Sequence, residues 1–116
     1  MRNLAIVGAF LVMAQGAQAQ VRCNIVHKFV CDPVGCRVSP VVMWNFVDLD
    51  KRTYSRCDIK GCSTYGARIS RSGSFWNFEV EGRGLIAKMA DDGSAFHEVA
   101  TLMNNVFISF GSCAQN

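Results

Sequence analysis

Six cysteines, Cys23, Cys31, Cys36, Cys57, Cys62 and Cys113, are the side chains of this 116-residue sequence best equipped for chemistry, as metal ligands, a redox pair or disulfides. Their spacing chooses between these roles. Four residues separate Cys31 from Cys36 and Cys57 from Cys62. Structural zinc pairs have two to four intervening residues, so a four-thiolate site is permitted but not singled out. No Cys-x-x-Cys redox motif occurs. Both close pairs instead share the form Cys-Asp-x-x-Gly-Cys. Asp favours the start of a turn and Gly tolerates the positive φ that brings two sulfurs together, so each pair is expected to clip its own loop. Cys23 and Cys113 are then left to bridge the two ends of the folded chain. By loop-closure entropy that long bridge contributes roughly 4 to 5 kcal/mol, against roughly 2 for each short clip. No metal and no cofactor is expected.

Catalytic constellations are absent from the sequence. His27 and His97 are the only imidazoles, and neither sits in a nucleophile elbow or a zinc-binding helix motif. His27 shares a strand face with Cys23, Ile25 and Phe29 and reads as structural. Asp91-Asp92 falls in a turn and Glu79 and Glu81 flank one. Gly82-Arg83-Gly84 lacks the following helix that a phosphate-cradling loop needs. The reading is of a protein that binds and does not catalyse.

Charge and exposed aromatics supply the candidate contacts. Residues 51–71 hold Lys51, Arg52, Arg56, Lys60, Arg68 and Arg71 with only Asp58 opposing them, whereas residues 72–98 hold five acids against Arg83 and Lys88. An electrically polar molecule attracted to an anionic envelope component or an acidic protein follows from that separation. Nothing resembles a nucleic-acid-binding motif. The run from Val41 to Val47 is apolar on both faces, with Met43 and Val47 on one and Trp44 and Phe46 on the other. Either the 33–40 loop covers Trp44 and Phe46 or they form a patch for a partner.

The elements that must position these residues are strands. The first 19 residues read as a signal peptide: Arg2, an apolar run of 11 residues from Leu4 to Ala14, and an Ala17-Gln18-Ala19 cleavage triplet. That run is too short to span a bilayer, which needs about 20 apolar residues, and no later stretch is long enough. Residues 20–116 form one domain, exported to the periplasm or secreted, and an even cysteine count suits an oxidising compartment. Two-residue alternation and regularly spaced turns mark eight strands, at about 22–30, 41–49, 53–57, 64–71, 74–81, 85–90, 95–102 and 106–113. Tight links make neighbours antiparallel, and eight such strands close into a small meander barrel; an open sandwich is the alternative. Trp76, Phe78 and Val80, Leu85, Ala87 and Met89, and Val106, Ile108 and Phe110 are assigned to its interior. Such a filling argues against a carrier of an apolar ligand inside the barrel.

The stretch Ser63-Thr64-Tyr65-Gly66-Ala67-Arg68 with Phe75-Trp76 resembles elements of the bacterial periplasmic inhibitors of C-type lysozyme. The resemblance covers about 14 residues. It implies an exported eight-stranded barrel with disulfides, with Ser63 and Tyr65 on or beside an inhibitory loop. The family's Lys-Gly after Phe-Trp is here Asn77-Phe78.

Overall fold

The computed structural model describes residues 20–115, so the signal peptide expected at 1–19 lies outside the described residues. Ten strands follow in order: β1 (Gln20–Asp32), β2 (Gly35–Val38), β3 (Trp44–Asp48), β4 (Thr53–Asp58), β5 (Gly61–Gly66), β6 (Arg68–Ser72), β7 (Phe75–Val80), β8 (Leu85–Ala90), β9 (Phe96–Leu102) and β10 (Asn105–Gln115). They form one antiparallel sheet in the order β5-β4-β3-β1-β10-β9-β8-β7-β6, with β2 added on β1. No helix occurs among the described residues. The fold is all-β, a nearly closed antiparallel barrel with three disulfides.

The strand count is ten rather than eight for two reasons. The 33–40 segment, expected to be a link without a strand and one of two candidates to lie against Trp44 and Phe46, turns back and pairs with β1 as β2. The expected single strand at 64–71 breaks at Ala67. Its first half, β5, pairs with β4, and its second half, β6, pairs with β7. One nearly continuous segment therefore joins both ends of the sheet, and the Ala67 N–H donates to Arg52 O at 2.9 Å, carrying the β4–β5 ladder up to the break. Closure in this way leaves only short lengths of unpaired edge.

All three disulfides join residues directly opposite one another on neighbouring strands: Cys23 with Cys113, Cys31 with Cys36, and Cys57 with Cys62. Their Cα separations are 3.9, 4.0 and 4.0 Å, the close approach of non-hydrogen-bonded antiparallel pairs. The pairing is the one that spacing predicts. Asp32 starts its turn by accepting the Val34 and Gly35 N–H groups, and Asp58 accepts that of Lys60. Three disulfides and no free cysteine among the described residues fit an oxidising, exported environment.

The interior is filled. Tyr54, Phe78 and Phe96 are fully buried, with ring centroids 6.1 and 6.4 Å from Tyr54, and Val47, Leu85, Ala87 and Met89 pack around them. Two strand faces differ from expectation. On β10 the inward residues are Phe107 and Ser109, while Phe110 stands outside against Phe29 and His97. On β1 a bulge between Ile25 and His27 reverses the alternation, so His27 and Phe29 do not share the face of Cys23 and Ile25. Gly111 sits against the bulge, where a Cβ would collide with the Asn24 backbone. Trp44 and Phe46 are half-buried on the outer wall beneath the Arg22 guanidinium, 5.0 and 5.8 Å from their ring centres.

Candidate anion-binding site

Strand register brings the β1–β2, β4–β5, β7–β8 and β9–β10 turns, with the 39–43 segment, to one end of the barrel. Cys31 opposes Val106, Cys57 opposes Trp44 and Leu85 opposes Ala100. Three cations gather at this mouth. Lys28 turns inward because the β1 bulge has shifted its parity. Arg56 follows Tyr54 on the inner face of β4. Arg83 is held on a turn whose Gly84, at φ 61°, lies so close to Thr101 that a side chain there would clash. Thr101 returns both its N–H and its hydroxyl to Gly84 O, at 2.8 and 3.1 Å, fixing that turn.

Beneath the mouth lies a buried polar cluster. Glu98 falls between Phe96 and Ala100 on the inner face of β9 and is 1% exposed. Tyr54 donates its hydroxyl to Glu98 Oε2 at 2.5 Å, Asn45 Nδ2 donates to the same oxygen at 3.1 Å, and Arg56 Nη2 donates to Oε1 at 3.2 Å. Both carboxylate oxygens are thereby taken up, as a buried charge requires. Burial, then the Glu98 charge and its hydrogen bond, push the Tyr54 hydroxyl well above its ordinary pKa, so it stays a donor.

The open side of the mouth is a cavity of about 290 Å³ lined by Lys28, Arg56, Tyr65, Arg83, Leu85, Ala100, Thr101, Leu102 and Phe107. A second of about 290 Å³ shares Lys28, Arg56 and Tyr65 and adds Val42, Met43, Asp58 and Ser63. Lys28 touches Met43 Sδ at 3.4 Å and lies 5.4 Å from the Phe107 ring centre. Arg83 lies 5.0 Å from the Tyr65 ring centre. Neither Lys28 nor Arg83 has a carboxylate within salt-bridge distance among the described residues. Partial burial, then the neighbouring Arg56 charge, lower the Lys28 pKa, and Glu98 only partly offsets them. An anion placed here meets two unpaired cations and the free side of a third.

The expected contact residues divide. Arg56, Ser63 and Tyr65 reach the mouth. Lys51 and Arg52 lie in the turn at the opposite end, and Arg52 donates to Ile69 O at 3.2 Å. Arg68 is on the outer wall, paired with Glu81 at 2.8 Å and Glu79 at 3.7 Å. The charge separation expected between residues 51–71 and 72–98 is reduced in space by three ion pairs. Arg56 pairs with Glu98 through the interior, and Arg68 and Arg71 pair with Glu81 and Asp91 on the outside. Lys28, Arg83 and Glu98 escaped sequence reading. The 96/98/100 alternation does carry the Glu98 signal, whereas the bulge hides Lys28. His27 and His97 stand on the outer wall, and among the described residues no three His, Cys, Asp or Glu side chains gather as a metal site. No helix of the described chain is long and apolar enough to cross a membrane.

Fold and site together define a disulfide-stapled all-β barrel with a cationic mouth. Comparison with protein-family models, with curated proteins and with solved structures finds no match.

Proposed function

We propose that this is an exported, non-enzymatic binding protein of the bacterial envelope, in the periplasm or secreted, that engages an anionic component through the barrel mouth. The observation that carries this reading is the convergence of Lys28, Arg56 and Arg83 on one opening whose nearest buried carboxylate, Glu98, is already saturated. The filled interior weighs against the reading as a carrier, since Tyr54, Phe78 and Phe96 occupy the space a ligand would need.

The test is retention on immobilised polyphosphate at low and high salt. Salt above about 0.15 M shortens the Debye length below about 8 Å, so capture by exposed charges weakens. The double variant Lys28→Gln/Arg83→Gln should lose capture with no fall in melting temperature, because neither side chain holds a carboxylate partner and the Lys28 charge is itself slightly unfavourable to folding. Capture that persists in the double variant would refute the mouth as the site.

Lysozyme inhibition is a second reading, favoured by the placement of Ser63 and Tyr65 at the same mouth. A basic lysozyme would meet like charges there, which opposes docking. A turbidity assay separates the two: inhibition that falls in Ser63→Ala or Tyr65→Ala supports the inhibitor.

A further inference from the structure

Turns are ordinarily polar because their residues face water and need special backbone angles. At the mouth end this rule is broken repeatedly. Val34 tips the β1–β2 turn, Ile59 the β4–β5 turn and Met103 the β9–β10 turn, at 96%, 94% and 96% exposure. Val42, in the segment leading into β3, and Leu102 beside Met103 are also largely exposed. The opposite end has the ordinary composition, with Asp50, Lys51 and Arg52 in one turn, Ser72, Gly73 and Ser74 in the next, and Asp91 to Ser94 in the third. No large apolar residue is exposed in those turns.

Two non-Gly residues among those described have a positive φ, Arg52 at 57° in the opposite-end turn and Met103 at 56° at the mouth, so the backbone angle is common to both ends and the side chain it presents is what differs. The chain holds an exposed apolar residue at a conformational cost, with no contact inside the barrel to offset it. Lys60 stands next to Ile59, Arg37 near Val34, and Lys28 and Arg83 lie between the tips. Most acids at this end have cationic partners, Asp32 with Arg37, Glu81 with Arg68 and Glu98 with Arg56, while Asp58, among the described residues, accepts only the Lys60 N–H and keeps its charge at the rim.

We propose that this end of the barrel docks on the surface of an anionic lipid bilayer, its aliphatic turn tips entering the interface and its cations meeting the headgroups. This rests on the anion reading of the mouth and narrows the partner to a lipid surface. Single aliphatic residues on separate turns of one end suit a flat, deformable apolar layer ringed by anions, whereas a folded protein partner would have to offer a separate pocket to each tip. Each tip buries little area, so attachment is reversible and needs tips and cations together.

Cosedimentation with vesicles tests this. The full chain should bind phosphatidylglycerol-containing vesicles, bind neutral phosphatidylcholine vesicles at least tenfold more weakly, and lose binding as salt rises. Val34→Ser/Ile59→Ser/Met103→Ser should lower vesicle partitioning at least tenfold and leave polyphosphate capture unchanged. Lys28→Gln/Arg83→Gln should lower both. Polyphosphate capture without vesicle binding overturns the bilayer proposal and leaves the anion reading standing; loss of both overturns the two together. Vesicle binding unaffected by the triple serine variant also overturns it, since the tips would then play no part. A gain-of-signal version avoids any folding defect. Tryptophan fluorescence added by Ile59→Trp should be quenched by lipids brominated on their acyl chains, and absence of quenching is the contrary result.

Discussion

Glu98 binds the site to the core. Its carboxylate is desolvated, and it remains tolerable only while Tyr54, Asn45 and Arg56 all donate to it. Tyr54→Phe removes the closest donor and nothing else of size. It should destabilise the protein by about 1 to 3 kcal/mol, the ordinary cost of leaving a buried charged acceptor short of a partner, measurable by urea unfolding. Lys28 makes the opposite trade. Its charge is partly desolvated and faces Arg56, so its pKa is lowered. Between that lowered value and the unfolded value of 10.5 the unfolded chain holds more protons, and stability contributed through this group rises with pH in that window. Below it the charged Lys28 is a small stability cost, reduced by solvent screening because the group is substantially exposed. Anion capture has the reverse dependence: it should fall as pH rises through the lowered Lys28 pKa. Lys28→Gln should flatten that alkaline limb, read from the pH dependence of polyphosphate retention.

At the scale of elements the important feature is the β1 bulge. Ordinary alternation from Cys23 would send Lys28 outward; one extra residue sends it into the mouth. Gly111 accommodates this, because a Cβ there would run into Asn24 O and the Ile25 backbone. Gly111→Ala should therefore cost more than a surface substitution, at least about 2 kcal/mol, and weaken anion capture by displacing Lys28. Cys23→Ala/Cys113→Ala opens the bridge between β1 and β10, residues 90 apart in sequence. It should lower stability by roughly 4 to 5 kcal/mol, against about 2 for opening either five-residue clip. Much of this layer was legible in the sequence. The Cys-Asp-x-x-Gly-Cys repeats encode local hairpins, and both turn aspartates accept N–H groups as their type implies. The bulge was not legible, since Ile25-Val26-His27 carries no Gly or Pro to announce it. The faces of β10 were misassigned because its apolar residues occur at both parities, while the position of Cys113 held the correct phase.

For the whole molecule, charge totals proved a poor guide to the electrical surface. Arg68 and Arg71 lie on β6 beside the acids of β7 and the β8–β9 turn, and Arg56 reaches Glu98 through the interior, so these side chains pair instead of contributing to opposed poles. Among the described residues, cations without a carboxylate partner remain elsewhere too, Lys51 and Arg52 at the opposite end and Arg22 and Lys88 on the wall; what sets the mouth apart is that Lys28 and Arg83 line one cavity with Arg56, from residues scattered along the chain. Lys28 and Arg83 are distant in sequence and meet only because the barrel closes. A window-by-window reading of charge has no access to such a site. The central claim is that this mouth recognises an anion. The most direct measurement is a nuclear magnetic resonance titration of the isotopically labelled protein with soluble polyphosphate at low salt. Backbone and side-chain shifts should cluster at Lys28, Arg56, Tyr65 and Arg83 and collapse at about 0.5 M salt, where screening is strong. Shifts centred instead on Arg52 at the opposite end, on Arg68 on the outer wall, or on no residue at all would contradict the account.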